Sequence, residues 1–496
     1  RYGLSSKDTN PTHINGVYEE LKKDAPKEEF TIGIEDDVTG LSLEPVDIDI
    51  PADYTSCLFY GLGSDGTVGA NKSTVKIIGN NTDLYSQAYF AYDSKKAGGI
   101  TRSHLRFGPT PIHSPYYINK ADFISASQPS YAFKYDMVRD LKNGGTFLLN
   151  TTVSADEVET KLPNRMLKGL ADKHAKFYLI DATKLARECH MGTHTNTILQ
   201  SAFFALNPQI MPYDKALTLM KESAKTTYAR KGEAVVNSNL QAIDAGKAGL
   251  VEVTVKPEWS NLTVKPALYE MTGDDHFDNY VQKINALQGN DMKVSEFTKD
   301  TLIDGSMPED VSFKEKRNIA GYVPKWNSDK CVECGNCVFA CPHGTIRSFL
   351  LTPEEVSKAE AIAKENGVDN FKVKDPSPAY KGAKEAGLKF VIQLATEDCV
   401  GCGVCETACP VPDSKEEPGA LHTKRIDTEM CQQAVADYLY KEVKYKPEYG
   451  NAATVAGVSL ERPYFEVSGC CPGCGEAPYY RLASQMFGKD MMIANA

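Results

Sequence analysis

From Ser56 to about Leu206 the chain alternates short apolar runs with longer mixed stretches. Cys57-Leu58-Phe59-Tyr60, Tyr89-Phe90-Ala91-Tyr92, Phe123-Ile124, Phe147-Leu148-Leu149 and Phe177-Tyr178-Leu179-Ile180 have the length and continuity of short buried strands. The segments between them fit helices and turns, and Thr195–Leu206 sets Ile198, Ala202, Ala205 and Leu206 on one helical stripe. This alternation predicts an α/β fold with a mostly parallel sheet. Residues 1–48 are polar and charged and run into the alternating Val46-Asp47-Ile48-Asp49-Ile50, expected as a connecting strand or linker. Residues 275–326 lose periodicity and read as a connecting segment, with the charged run Lys314-Glu315-Lys316-Arg317 near its end. Thr352–Glu365 predicts a helix, Asp375-Pro376-Ser377-Pro378 a loop, and Met491-Met492-Ile493 a strand.

At about 150 residues per domain, 496 residues suggest about three domains. The 55 Lys and Arg against 66 Asp and Glu leave a net charge of −11, without the basic footprint that broad nucleic-acid binding needs. No apolar run approaches the roughly 18–20 residues that span a bilayer. Arg1-Tyr2-Gly3-Leu4-Ser5-Ser6 has no signal-peptide pattern and reads as the interior of a longer chain. A cytoplasmic protein, with its thiols reduced, is expected. The 14 cysteines are unevenly spread: Cys57, Cys189 and Cys431 have no spacing partners and are expected to be buried apolar residues.

Eight of the others form two runs of one pattern, C-x-x-C-x-x-C-x-x-x-C-P. The first is Cys331, Cys334, Cys337 and Cys341 with Pro342, and the second is Cys399, Cys402, Cys405 and Cys409 with Pro410. A cubane cluster needs four thiolates, and in this bacterial-type pattern the fourth Cys of each run ligates the other cluster. Cluster A is therefore expected on Cys331, Cys334, Cys337 and Cys409, and cluster B on Cys399, Cys402, Cys405 and Cys341. Gly335, Gly401 and Gly403 permit the backbone angles of such loops. Zinc is the competing metal, but its sites usually pair two C-x-x-C units. His343 is expected on the surface, since four thiolates already close each site. Two cubanes in one module form an electron relay, which alone does not distinguish an enzyme from an electron carrier.

After the first strand, Gly61-Leu62-Gly63-Ser64-Asp65-Gly66 matches G-x-G-x-x-G at a strand-to-helix turn, where helix amides meet a phosphate. A nicotinamide fingerprint also wants an acid at the end of the next strand, and Asp83 lies before that strand instead. A phosphate-containing ligand, a nicotinamide and a tight turn without ligand stay open. Lys95, Lys96, Arg102, His104 and Arg106 gather cations that could meet further phosphates or form a solvated face. Cys470-Cys471-Pro472-Gly473-Cys474-Gly475-Glu476 holds one C-x-x-C, two ligands of an incomplete metal site or a redox dithiol.

In order, Gly61–Lys72, Ser103–Ile112, Glu315–Trp326, the two cysteine runs and Cys471–Glu476 resemble, over the whole chain, the single-chain pyruvate:ferredoxin (flavodoxin) oxidoreductases. The resemblance implies an α/β multidomain protein. Residues 1–48 would be the tail of a preceding domain and linker, and 49–274 a gamma-type coenzyme A-binding domain. An EKR linker domain at 275–326, a ferredoxin-like α+β domain with two clusters at 327–425 and the start of a thiamine-diphosphate domain at 426–496 would follow. It implies oxidation of pyruvate with coenzyme A to acetyl-CoA and CO₂, with electrons passing through three [4Fe-4S] clusters to ferredoxin or flavodoxin. Coenzyme A would lie on Gly63, Ser64, Asp65, Gly66, Thr67, Lys95, Asn196 and Asn239. Glu476 would contact thiamine diphosphate, and Cys471 and Cys474 would hold a third, proximal cluster. No Gly-Asp-Gly element followed by an Asn pair occurs, so the Mg²⁺ site and the catalytic residues are expected outside these residues. A homodimer is implied too. A 2-oxoacid other than pyruvate and a non-catalytic polyferredoxin are the alternative functions.

Overall fold

A computed structural model describes residues 8–494, except 49, 51, 64, 97, 193, 299–310, 369–370 and 415–416. Two compact units emerge, Arg1–Asp93 with Gly99–Glu309, and Ser94–Gly98 with Asp310–Ala496. The break at 309/310 falls inside the stretch 275–326 that the sequence suggested as one segment.

The first unit is built on a seven-stranded sheet. In chain order its strands are β1 (Thr55–Leu62), β2 (Tyr85–Tyr92), β3 (Ile100–Gly108), β4 (Ala121–Ala126), β5 (Leu141–Asn150), β6 (Lys176–Ile180) and β7 (Val251–Val253). They lie in the order β2-β3-β1-β4-β5-β6-β7. Successive side chains on a strand point to opposite faces, and both faces of the central strands are covered. Leu58 and Tyr60 of β1 join Ile124, Phe147 and Leu149 in one core. Cys57 and Phe59 join Phe123 and Leu148 in the other. That second core is roofed by α1 (Thr67–Asn81), α2 (Asn196–Leu206), α3 (Tyr213–Tyr228) and α4 (Glu233–Ala248). Two-sided burial is why these strands read as unbroken apolar runs.

The sheet is mixed, which corrects the expectation of a mostly parallel one. Only β1/β4, β4/β5 and β5/β6 run parallel, whereas β1/β3, β2/β3 and β6/β7 are antiparallel. An apolar run records burial but not direction, so the β2–β3 return could not be seen in the pattern. β2 is also an edge strand with Tyr85, Tyr89 and Tyr92 exposed, not a buried one. No regular element forms at residues 44–48 or 491–494, so neither the linker strand nor the terminal strand is present there.

In the second unit each cysteine run sits in the same local frame. β8 (Tyr322–Trp326) leads into the first run, α5 (Asn336–Ala340) carries Cys337, and β9 (Ile346–Leu351) follows. After α6 (Pro353–Glu365), capped by the Thr352 side chain on the Glu355 amide, β10 (Lys389–Leu394) leads into the second run. There α7 (Val404–Ala408) carries Cys405 and β11 (Leu421–Arg425) follows. The strands pair crosswise: β8 with β11, and β9 with β10, both antiparallel. Each repeat therefore completes its sheets only with strands of the other. Two helices close the unit, α8 (Gln433–Lys441), in a stretch whose polar composition hid it, and α9 (Ala477–Phe487). Among the described residues no helix is long and apolar enough to cross a membrane.

Candidate functional site

The crosswise pairing brings the fourth cysteine of each run to the opposite loop. One cavity is walled by Cys331, Cys334, Cys337 and Cys409, together with Trp326 and Ile392. Another is walled by Cys399, Cys402, Cys405 and Cys341, together with Ile346 and Leu394. Each therefore takes three sulfurs from one run and one from the other. No three of the described His, Cys, Asp and Glu side chains close around a single metal ion. Four thiols around a shared space match the four-thiolate ligand set of a cubane cluster.

Burial pushes the Cys399 thiol up to about 12 and raises Cys331, Cys337 and Cys405 as well. At Cys337 the neighbouring charges of Cys331, Cys334 and Cys409 add to that burial. Thiolates are thus costly here unless cations sit among them, which is what a cluster's iron provides. Backbone amides already face sulfur: Glu333 N–H donates to Cys331 Sγ and Gly401 N–H to Cys399 Sγ, each at 3.4 Å.

Those two amides occupy the same place in the two runs. Both residues have positive φ, +57° at Glu333 and +67° at Gly401. A side chain is unfavourable in this left-handed region, yet Glu333 is held there by its carboxylate. It accepts from the Ser377 amide at 2.7 Å and pairs with Lys374 at 3.2 Å. Nothing in the spacing pointed to Glu333, although its alignment with Gly401 was a usable signal. Glu333→Ala keeps the strain and strands both partners, so it should destabilise the loop around Cys331 by about 2–3 kcal/mol. Glu333→Gly removes the strain and should cost about 1 kcal/mol less. Iron retention during mild denaturant titration measures the difference.

His343 is buried, 1% exposed, and not on the surface as expected. Its Nδ1 donates to the Ser468 carbonyl at 3.1 Å, and its ring lines the cavity of cluster B. The same carbonyl accepts from Arg317 at 2.7 Å. Arg317 belongs to the charged run, three members of which tie down different segments. Glu315 holds Lys95, and Lys316 bridges Asp398 at 3.1 Å and Asp437 at 2.9 Å. The terminal loop is thereby fixed beside the cavity of Cys399, Cys402, Cys405 and Cys341. Within that loop Cys471 is exposed and Cys474 half-buried, while Cys470 lies 2.9 Å from Ser468 Oγ. Glu476 precedes α9 and accepts from Tyr480 Oη at 3.0 Å. Cys57 and Cys189 are buried as expected, whereas Cys431 is only half-buried.

At the glycine loop two helix N-termini converge. Gly66, φ +89°, opens α1, and a Cβ placed on it would lie 3.1 Å from the amide of Asn196, the first residue of α2. Thr67 and Asn196 line one small cavity with Ser125 and Ser127. Neither helix has an acidic residue in its first turn, so both present positive dipole ends. The Asp65 carboxylate braces the loop, accepting from the Leu62 and Thr67 amides at 2.9 and 2.7 Å and from Ser127 at 2.8 Å. Gly63 is held by its own amide, which donates to the Gly99 carbonyl at 2.7 Å. Ser64 lies outside the described residues. Asn239 is buried on α4 with its amide on the Val235 carbonyl at 2.8 Å, and it does not line this cavity. Lys95 belongs to the second unit.

The strand after α1 is antiparallel to β3 and separated from β1 by it. A nicotinamide fold needs that strand parallel and adjacent, so that its terminal acid reaches the ribose. The nicotinamide alternative therefore has no structural place. The expected cation cluster dissolves too. Arg106 is buried against Gln87 and the Ser114 and Tyr116 carbonyls at 2.8, 3.0 and 2.8 Å. His104 accepts from the Ile118 amide at 3.0 Å and stacks on Tyr117. Burial, reinforced by Arg102 and Arg106, holds His104 neutral with its pKa down to about 3.

Residues 56–249 match the family model for pyruvate ferredoxin/flavodoxin oxidoreductase, and 330–412 match a 4Fe-4S dicluster domain. The chain is 41% identical to the pyruvate:ferredoxin oxidoreductase of Moorella thermoacetica and 42% to the pyruvate-flavodoxin oxidoreductase of Klebsiella pneumoniae. Both matches cover 100% of this chain and 41% of the relative, so the chain spans about two fifths of the curated relatives it matches. A crystal structure of a pyruvate oxidoreductase subunit from Thermotoga maritima aligns with 40% of this chain and 98% of its own, at 18% identity and a TM-score of 0.33. Along its whole length, then, the chain is similar to one portion of the pyruvate:ferredoxin and pyruvate-flavodoxin oxidoreductases.

Proposed function

We propose that this chain is the coenzyme A-binding and electron-relay portion of an enzyme that oxidises pyruvate with coenzyme A to acetyl-CoA and CO₂. The electrons pass to ferredoxin or flavodoxin. The observation that carries this is the pair of four-cysteine cavities, each closed by a sulfur from the other run. Thiamine diphosphate supplies the carbanion chemistry on the 2-oxoacid when bound, with Mg²⁺ on residues beyond these. Cys331, Cys334, Cys337 and Cys409 hold one cluster, and Cys399, Cys402, Cys405 and Cys341 the second. Cys471 and Cys474 contribute to a third. Glu476, beside its Tyr480 hydroxyl, faces the thiamine cofactor, and the loop from Gly63 to Thr67 with Asn196 receives coenzyme A. Lys95 and Asn239, the latter with a buried Oδ1 that has no protein partner among the described residues, are assigned to the same ligand.

The same proposal assigns 1–48, 49–274, 275–326, 327–425 and 426–496 to the five parts expected from the sequence, in a cytoplasmic homodimer. The test is anaerobic turnover by the longer protein, with pyruvate, 2-oxobutyrate and 2-oxoglutarate compared and ferredoxin or flavodoxin as acceptor. Fastest acetyl-CoA formation from pyruvate is expected. A preference for another 2-oxoacid would change the substrate. Absence of thiamine diphosphate and of coenzyme A binding would reduce the protein to an electron carrier.

A further inference from the structure

The last helix carries a buried guanidinium whose hydrogen-bond acceptors, among the described residues, are all neutral. Arg481, on α9, is 1% exposed. Its Nε donates to the Cys341 carbonyl at 3.1 Å, one Nη to the Phe339 carbonyl, and the other to Gln485 Oε1 at 3.3 Å. All three acceptors are neutral. The Arg347 guanidinium acts on it too but is itself tied to Glu466, and the residue whose carbonyl the Arg481 Nε grips, Cys341, carries a sulfur in the cavity beside it. A guanidinium does not shed its proton in proteins, and a buried one needs an anion close by.

The available anion is the sulfur of Cys341, a ligand of cluster B in the proposed assignment, on which this inference rests. A cubane on four thiolates is anionic and takes up one further negative charge when reduced. We propose that Arg481 is the counter-ion of cluster B and that its fixed charge favours the reduced cluster over the oxidised one. The step is a one-electron uptake with no proton, because the guanidinium stays charged throughout. At the other cavity the corresponding cation is cancelled: Lys374 donates to the Cys331 carbonyl at 2.7 Å and pairs with Glu333 at 3.2 Å. The helix bearing Arg481 starts shortly after Cys474, so the element that presents the last cysteine pair also delivers this charge.

Redox titration of the cluster-loaded chain, followed by electron paramagnetic resonance, tests the proposal. Arg481→Gln should lower the reduction equilibrium constant of cluster B at least tenfold, about 59 mV for a one-electron couple, and move cluster A less. Arg481→Lys, which keeps the charge, should return cluster B towards its original midpoint. Unchanged midpoints in Arg481→Gln, with about eight iron atoms retained, would overturn the proposal. Should Arg481→Gln lose iron, Arg481→Lys decides: retention of both clusters supports the charge, whereas loss in both variants means that the carbonyl contacts alone matter. A shift confined to the cluster of Cys331, Cys334 and Cys337 would instead sink the assignment of Cys341 and leave the relay itself standing.

Discussion

Cys341→Ser should empty the cavity of Cys399, Cys402 and Cys405 and leave that of Cys331, Cys334 and Cys337 filled. By sequence Cys341 belongs to the first run, so a local view of the motif expects the opposite loss. The cavity linings decide for the crossed arrangement, since Cys341 shares its space with the second run and Cys409 with the first. Serine is a poor ligand for a soft iron–sulfur site, so iron should fall from about eight to about four atoms per chain. Cys409→Ser should give the mirror image. Paramagnetic resonance of the reduced variants distinguishes the survivors, and loss of cluster A in Cys341→Ser would disprove crossed ligation.

The second large effect belongs to the glycine loop. Gly66→Val should abolish coenzyme A binding, by a hundredfold or more, which is about 2.7 kcal/mol. Valine at φ +89° is strained by roughly 1–2 kcal/mol, and its Cβ lies 3.1 Å from the Asn196 amide. Relief of that contact moves Asn196 and the start of α2 away from the start of α1. Asn196→Ala, free of backbone strain, should weaken binding about tenfold, near 1.4 kcal/mol. Both variants should keep both clusters, whose cysteines lie in the other unit. Calorimetric titration with coenzyme A and, separately, NADH reads the outcome. Unaltered coenzyme A affinity in Gly66→Val would remove the ligand from this loop.

The parts of the molecule legible in the sequence were those written in local spacing. The two cysteine runs were legible as a motif because two-residue gaps are a property of one loop, and each cavity is lined by three sulfurs of one run and one of the other. β1, β4, β5 and β6 showed themselves because both of their faces are buried. What stayed hidden depended on distant segments. His343 is buried by the loop at 468–471, more than a hundred residues away, and no feature next to it announces that cover. Strand direction is set by where the chain returns, so the β2–β3 pair passed for part of a parallel sheet. Arg102, His104 and Arg106 carried an overlooked signal: residues two apart share one face of a strand, and here Arg106 and His104 are committed to packing. The pairing of Lys95 with Glu315 was hidden because its partner lies far along the chain.

The crossed sulfurs also govern when, in the life of the polypeptide, iron can be stored in it. Cys337 leaves the ribosome roughly 70 residues before Cys409, and until then the first loop offers only three thiols. In the crossed arrangement the set of Cys399, Cys402, Cys405 and Cys341 is complete when Cys405 emerges, and that of Cys331, Cys334, Cys337 and Cys409 four residues later. Iron delivery must therefore wait until nearly the whole module has emerged, and the two sites become fillable within four residues of each other. Once in place, each cluster links chain segments roughly 60–70 residues apart, the kind of long-range tie that restrains an unfolded chain by about 4 kcal/mol in the covalent case. Oxidative loss of one cluster would free one such tie and expose the other to the same reagent, so damage should spread through the pair within a single molecule.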